Sequence, residues 1–201
     1  MINKTALFNI IIILLLFSGC SLFSDKVTLE SLLAEMTDRY SLSYFPAHTY
    51  KHKQFSSYNR ASVSPDSAGW FANADMSHFI RVEENEGRRE FVMFDTDGPG
   101  AVVRWWMTFY KAQNGVIRVY IDNNTEPVIT GTPVELLSGN QLSNPPLAVS
   151  VQQGAPLGEE GRDYDHNFYV PIPFSEHCKI TYECDRSEER RVGKECRYRW
   201  S

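Results

Sequence analysis

The sequence predicts an all-β protein, an antiparallel β-sandwich of the jelly-roll type. About eight short segments rich in β-branched and aromatic residues are separated by turns of Gly, Pro, Asn and Asp. Only one segment has a helical period, and nothing alternates strand with helix as a parallel sheet requires. A chain of 201 residues has room for one such domain with appendages at both ends.

Residues 1–19 are predicted to be the leader of a secreted lipoprotein. Lys4 precedes an apolar run over residues 6–17, which is too short to cross a bilayer of ~30 Å. Residues 17–20, FSGC, resemble the lipobox of bacterial lipoproteins, with Phe17 where leucine is usual. We therefore expect cleavage before Cys20, lipidation of its thiol, and anchoring in the bacterial cell envelope on the periplasmic or outer-membrane face. An ordinary secreted protein with an incidental cysteine is the alternative.

Residues 20–39 are predicted to be a tether followed by a short amphipathic helix. Thr28 precedes the helix, which is expected to end near Asp38. Four apolar side chains recur one helical turn apart: Leu29, Leu32, Leu33 and Met36. This stripe is expected to pack on the domain that follows.

The predicted jelly roll occupies residues 40–185. Residues 40–70 have no clear period, and KHKQFSSYNR at 51–60 has the composition of a functional loop. The turn at Gly98, Pro99 and Gly100 leads into one long strand that ends at residue 109. The strands are expected at residues 77–84, 90–95, 97–109, 116–122, 128–137, 147–152, 168–173 and 177–183.

Residues 85–87 are expected to form a turn before the strand at 90–95. Residues 113–115 are expected to close a hairpin between the strand at 97–109 and the strand at 116–122. Pro133 interrupts the weaker strand at 128–137. Residues 153–167 are expected to form one long polar loop.

Residues 186–201, RSEERRVGKECRYRWS, are highly basic and have no apolar period. They resemble the in-frame translation of a sequencing adapter, so we expect an artefactual tail after a reading frame broken near Asp185. A genuine solvated tail is the alternative. Without this tail and the leader, 13 basic and 22 acidic residues remain, a formal charge of −9. That charge argues against a nucleic-acid partner.

The cysteines and acidic residues point to no cofactor and no metal site. Cys178 and Cys184 would lie about 20 Å apart on one straight strand, too far for a disulfide, so free thiols are expected. Carboxylates that face each other could cleave a glycosidic bond, but solvated loop charges are the simpler interpretation, and His166 is interpreted as a loop residue. The acidic candidates are Asp95, Asp97, Glu159, Glu160, Asp163 and Asp165.

Four blocks in order carry a family resemblance. They are SSYNR at 56–60, DGPGAVVRWWMTF at 97–109, GVIRVYIDNNTEP at 115–127 and FYVPIPFSEHCKITYE at 168–183. Together they resemble the N-terminal half of a former domain-of-unknown-function family, now regarded as glycoside hydrolases acting on α-D-fructofuranosides and D-arabinofuranosides. The resemblance covers about residues 40–183.

The resemblance implies two consecutive jelly rolls, a homo-oligomer, a carbohydrate substrate, and catalytic glutamates in the second jelly roll. No catalytic residue is therefore assigned here. Arg60 and Asn59 are the candidate substrate-binding residues, although Asn59 stands where the family usually has Asp, and a structural salt bridge is the alternative for Arg60. At least one of Trp105 and Trp106 should be core, because adjacent strand residues point to opposite faces.

Two functions are compatible with the sequence. The first is the truncated, inactive N-terminal portion of a lipid-anchored glycoside hydrolase that acts on furanosides. The alternative is a cell-surface lipoprotein whose jelly roll binds carbohydrate, or mediates adhesion, without catalysis.

Overall fold

The computed structural model describes residues 27–45, 50–75, 78–109, 115–139, 141–152, 164–183 and 198–200. The helices in these ranges are α1 (Leu29–Thr37), α2 (Pro133–Leu137) and a 3-10 helix at Ser41–Ser43. The strands are β1 (Arg81–Asn85), β2 (Arg88–Asp97), β3 (Gly100–Val102), β4 (Trp105–Phe109), β5 (Val116–Ile121), β6 (Ile129–Gly131), β7 (Ala148–Gln152), β8 (Tyr164–Phe168), β9 (Ile172–Phe174), β10 (His177–Glu183) and β11 (Tyr198–Trp200).

The strands form three antiparallel sheets. A five-stranded sheet has the order β1-β2-β10-β5-β6, a four-stranded sheet has the order β11-β4-β8-β7, and β3 pairs with β9. β10 lies at the centre of the five-stranded sheet although it follows the other four members in the chain. The predicted fold class, an antiparallel β-sandwich, is confirmed.

The core combines side chains of all three sheets and α2. β2, β5 and β10 contribute from the five-stranded sheet, and β4, β7 and β8 from the four-stranded sheet. Trp105 is 6% exposed and belongs to this core, whereas Trp106 on the opposite face is only partly buried. Alternation along β4 therefore separates the two tryptophans as predicted.

The single long strand predicted over residues 97–109 is wrong. The chain turns after β2, forms β3 against β9, and then leaves this pair at Val103 and Arg104 to enter the four-stranded sheet as β4. A Cβ on Gly100 would stand 2.7 Å from the Phe174 ring, so this glycine permits the close contact of β3 with β9.

The predicted hairpin between the strands at 97–109 and 116–122 is also wrong. β4 pairs with β8 and β11, while β5 pairs with β10 and β6 in the other sheet. β4 and β5 therefore belong to different sheets. The turn predicted at residues 85–87 is confirmed, with Glu86 and Gly87 at φ of 51° and 78°.

Residues 133–137 form a helix, not the predicted continuation of a strand. Thr132 accepts a hydrogen bond from the Glu135 backbone, and the Glu135 carboxylate accepts one from the Thr132 backbone. Pro133 stands at the start of the helix, where a missing N–H costs nothing. Leu136 and Leu137 are fully buried, so this capped turn inserts two leucines into the core.

The predicted polar loop at 153–167 does not include its last four residues. Residues 153–163 lie outside the described residues, but Tyr164–Phe168 is the strand β8, between β4 and β7. His166 is therefore a fully buried strand residue and not a loop residue. β8 is an inner strand that pairs with β7 along its whole length and with β4 over residues 165–168, which accounts for a polar sequence in an extended conformation.

The predicted N-terminal helix is present, but its predicted packing is wrong. The Thr28 side chain accepts from the Ser31 backbone and the Ser31 hydroxyl accepts from the Thr28 backbone, which fixes the start of α1. No residue of α1 is buried, and Leu29 and Met36 remain 41% and 51% exposed.

The predicted leader, with Cys20, lies outside the described residues, as do Cys184 and most of the predicted artefactual tail. Within the tail, β11 pairs with β4, placing Tyr198 opposite Phe109. No helix among the described residues is both long and apolar enough to span a bilayer.

Candidate functional site

The side of the five-stranded sheet that faces away from the core carries interlocked charged and hydroxyl side chains, which we call the polar face. Its members occupy alternate positions on β1, β5 and β10. On β2 the register shifts by one residue between Val92 and Phe94, so Glu90 and Asp95 lie on the same face although they are five positions apart. The polar face consists of Arg81, Glu83, Asn85, Arg88, Glu90, Asp95, Arg118, Tyr120, His177, Lys179, Thr181 and Glu183.

One half of the polar face is a chain of ion pairs across β1, β2 and β10. Arg81 contacts both Glu83, at 2.6 Å, and Asp95. The second oxygen of Asp95 lies 2.6 Å from Nε2 of His177. Lys179 donates to Oε2 of Glu83 at 2.8 Å. Each carboxylate is therefore held between two basic side chains.

These pairings keep both carboxylates ionised. Burial opposes the charge of Asp95, but the hydrogen bonds from Arg81 and His177 outweigh burial and lower the pKa of this carboxyl. Burial likewise opposes the charge of Glu83, and the hydrogen bonds from Lys179 and Arg81 lower its pKa. Neither group carries a proton to donate at neutral pH.

The other half of the polar face is organised around Glu90, which is fully buried. The Tyr120 hydroxyl lies 3.0 and 2.9 Å from the two carboxylate oxygens, and Thr181 donates to Oε2 at 2.7 Å. Asn85 and Arg88 donate to Oε1 at 3.3 and 3.2 Å. Four side-chain donors thus satisfy one buried carboxylate.

The two halves meet at Tyr120. The Lys179 ammonium lies 4.9 Å from the centre of the Tyr120 ring, so the lysine contacts both Glu83 and the aromatic face. Burial raises the pKa of the Tyr120 hydroxyl, and the hydrogen bond to Glu90 raises it further. The phenol therefore stays protonated and serves as a donor to Glu90.

The described carboxylates of the polar face do not have the protonation states of a glycosidase acid and nucleophile pair. General acid catalysis needs a carboxylic acid that holds its proton near neutral pH. The basic side chains beside Glu83 and Asp95 keep both carboxyl groups ionised, and four donors surround the carboxylate of Glu90. The arrangement is that of a structural network of ion pairs and hydrogen bonds.

The predicted substrate-binding residues lie elsewhere, in the irregular segment before β1. The Arg60 guanidinium lies 3.9 Å from the centre of the Tyr58 ring, and its Nη2 donates to the carbonyls of Ser56 and His78 at 2.9 and 3.3 Å. These contacts fix Arg60 through backbone oxygens, and the ion pair considered as an alternative is not formed with any described residue.

Asn59 has a local role in the same segment. The side-chain oxygen of Asn59 accepts a hydrogen bond from the Ala61 backbone N–H at 3.0 Å. The backbone N–H of Asn59 donates to Oδ1 of Asp75 at 2.7 Å. An asparagine or an aspartate can form this turn equally well. The assignment of Asn59 and Arg60 to substrate binding stays a prediction.

The remaining acidic candidates do not converge in the described part of the chain. Asp95 belongs to the polar face, Asp97 is exposed at the end of β2, and Asp165 is on β8 in the other sheet. Glu159, Glu160 and Asp163 lie outside the described residues.

His166 contacts a serine, but the pair is not a nucleophile and base. Nδ1 of His166 lies 2.5 Å from the Ser150 hydroxyl, and the ring is fully buried. Asp165, its neighbour on β8, points to the opposite face of the strand. Burial lowers the pKa of His166 to about 4, so the ring is neutral and part of the core.

The described residues offer no place for a metal: no group of three or more His, Cys, Asp or Glu side chains in these ranges could hold one. Cys178 is a free, fully buried thiol on β10, as predicted. Burial, with Asp122 and Asp95 nearby, raises the pKa of this thiol to about 12, which makes it unreactive.

Sequence reasoning did not identify the polar face, although part of its signal was present. Arg81 and Glu83 alternate with apolar residues on β1, and Arg118 and Tyr120 do so on β5. The missing information was the sheet order, which inserts β10 between β2 and β5 and thereby brings Lys179 between Asp95 and Tyr120.

Comparison with known families gives one match. The model described as the GH172 first beta-sandwich domain matches residues 48–198 of this chain. The match contains all four blocks on which the predicted resemblance rests, and it extends into residues 186–198 of the predicted artefactual tail. No curated protein sequence and no solved structure matches the chain.

Proposed function

The chain belongs to the GH172 glycoside hydrolases through their first β-sandwich domain, and from this premise we propose that it is the non-catalytic N-terminal portion of a lipid-anchored furanoside hydrolase. Membership gives the general substrate class, a carbohydrate. The proposal adds α-D-fructofuranosides or D-arabinofuranosides as substrates and places the catalytic glutamates in a second β-sandwich.

One observation carries this proposal: the family match is to the first sandwich of the family and covers three quarters of the chain. The chemistry of the described residues supports it. Glu83 and Asp95 are neutralised by cations, and Glu90 accepts from four donors, so no pair of them is free for acid and nucleophile work. The polar face is then a supporting surface of a larger enzyme.

The direct test is hydrolysis of chromogenic aryl α-D-fructofuranosides and D-arabinofuranosides by the purified chain. We expect release of the aryl group at the rate of a buffer blank. Turnover above that blank, reduced in an Asp95→Asn or Glu83→Gln variant, would contradict the proposal, because it would place catalysis on the polar face. Turnover unaffected by both variants would contradict it as well, since some other residue of this chain would then be catalytic.

A second function, glycan binding without hydrolysis, is favoured by one feature. Tyr58 is 50% exposed and carries the Arg60 guanidinium on its ring, while Trp70 and Phe71 are 39% and 90% exposed on the same irregular segment. Exposed aromatic rings with a polar handle are suited to stacking on sugars. Titration with furanose oligosaccharides should then quench tryptophan fluorescence in the wild type and not in a Trp70→Ala variant.

The lipid anchor and the oligomer are parts of the same proposal. The lipobox-like FSGC at residues 17–20 supports attachment at Cys20, and palmitate incorporation that disappears in a Cys20→Ala variant is the expected result. For the intact parent we propose a homo-oligomer on the basis of the family resemblance, and light scattering of the parent at several concentrations tests it.

A further inference from the structure

The N-terminal region of the structure carries an apolar surface that the sandwich does not cover. The four apolar side chains of α1 lie within an arc of about 100° on the helix, while Glu30 and Glu35 lie outside that arc. Leu32 and Leu33 are partly exposed, and Leu29 and Met36 are 41% and 51% exposed.

The residues after α1 extend this surface with aromatic side chains. Tyr40, Leu42, Tyr44 and Phe45 are 78%, 86%, 71% and 99% exposed around the 3-10 helix at Ser41–Ser43. Tyrosine is enriched at the boundary between lipid and water because its ring is apolar and its hydroxyl is polar. A helix with an apolar stripe, followed by tyrosines, has the composition of an interfacial segment.

The position of α1 in the chain favours a membrane as the occupant of this surface. Leu29 follows Cys20 by nine residues, and a fully extended chain of that length reaches at most about 32 Å. A lipid on Cys20 would thus hold α1 within reach of the membrane surface. This step rests on the lipid anchor proposed above.

The charges of α1 restrict the kind of membrane. Glu30 and Glu35 are its only charged residues, and the last turn of the helix has no basic residue. Attraction to anionic lipid headgroups therefore does not drive binding, so a zwitterionic phospholipid surface is the better match.

We propose that α1 lies in the interface of a zwitterionic phospholipid bilayer, with Leu29, Leu33 and Met36 directed into the lipid, and so forms a second membrane contact beside the lipid on Cys20. Burial of these apolar side chains adds to the attachment that the lipid on Cys20 supplies.

The test measures the depth of individual side chains of the full chain on phosphatidylcholine vesicles. A fluorophore is attached through Met36→Cys, or through the matched control Glu35→Cys, which lies outside the apolar arc of α1, in a Cys184→Ser, Cys196→Ser background. Cys178 is fully buried and does not compete for the label. Lipid attachment at Cys20 is scored separately from the intact mass.

On vesicles, the label at position 36 should be quenched by lipids carrying a quencher on the acyl chain and protected from aqueous iodide by about tenfold relative to position 35. Equal access of iodide to both positions overturns the inference and leaves the anchor standing if the mass shows the lipid. Protection of position 36 without vesicles also overturns it, because protein would then cover the stripe. A chain that fails to bind vesicles overturns the helix contact, and it overturns the anchor as well only if the intact mass lacks the lipid.

Discussion

Replacement of Glu90 by alanine tests whether the polar face is structural. Glu90 is fully buried and accepts hydrogen bonds from four side chains. Its truncation leaves the hydroxyls of Thr181 and Tyr120, 0% and 3% exposed, without their acceptor, whereas Arg88 at the margin can turn to water. Removing one partner of such a buried network costs about 3–5 kcal/mol.

The assay is urea unfolding at pH 7, followed by tryptophan fluorescence, to which the buried Trp105 contributes. Because stabilities of 5–15 kcal/mol are typical, Glu90→Ala should lower the unfolding midpoint strongly or unfold the chain. Glu90→Gln keeps the shape and lets the hydroxyls rotate to accept, so a smaller loss of about 1–2 kcal/mol is expected and keeps the effect measurable.

The matched control is Glu84→Ala, an exposed glutamate on the neighbouring strand β1. Its effect should stay within about 0.5 kcal/mol. If Glu90→Ala is as stable as Glu84→Ala with an unchanged urea dependence, the description of Glu90 as the centre of the network is refuted.

Three further predictions concern pH and the α2 cap. His166 has a pKa of about 4 in the folded chain and 6.5 in the unfolded chain, so below pH 6.5 protons bind preferentially to the unfolded chain. The free energy of unfolding should therefore fall by up to about 3 kcal/mol between pH 6.5 and pH 4. In urea titrations, His166→Gln should remove this pH dependence. Asp95 has a lowered pKa, so the stability that its ion pairs contribute is present above pH 3.8 and is lost as the pH falls below that value. Asp95→Asn should reduce the loss of stability over this acidic range, and an unchanged loss would contradict the pairing. Thr132→Ala removes the acceptor that caps α2 and should cost about 1 kcal/mol in thermal unfolding, with the exposed Thr130→Ala as control; equal midpoints would refute the cap.

The fold class could be predicted because strand periodicity and turn residues are local signals. β10 was predicted with its observed bounds, His177–Glu183, since apolar and polar residues alternate along it. The helix α2 also has a local signal, Thr132 and Glu135 three residues apart with Pro133 between them. Proline interrupts strands as well as beginning helices, and the strand prediction at residues 128–137 rested on the first of these properties. The local information for a helix was present in the sequence.

The polar face could not be predicted in the same way, because it depends on pairing between distant residues. Lys179 and Glu83 are 96 residues apart, and Thr181 and Glu90 are 91 apart. Nothing in either strand specifies that β10 lies between β2 and β5. The burial of Glu90 depends on that placement, since a glutamate on a strand is ordinarily solvated.

The origin of residues 186–201 stays a prediction that the fold does not decide. The pairing of β11 with β4 and the extent of the family match are compatible with native sequence, while the composition resembles an adapter. Resequencing of the locus separates the two. Adapter sequence after codon 185 is the expected result, and native codons through Ser201 would contradict it.

The central claim is that the described carboxylates of this first sandwich perform no hydrolysis, and a single-turnover measurement tests it most directly. The purified chain is placed in molar excess over an aryl furanoside, and release of the aryl group is followed at pH 5 and pH 7. The account predicts no release beyond the buffer blank at either pH. Stoichiometric release at a rate set by the chain would show that a catalytic site is already present in this domain, and would contradict the account.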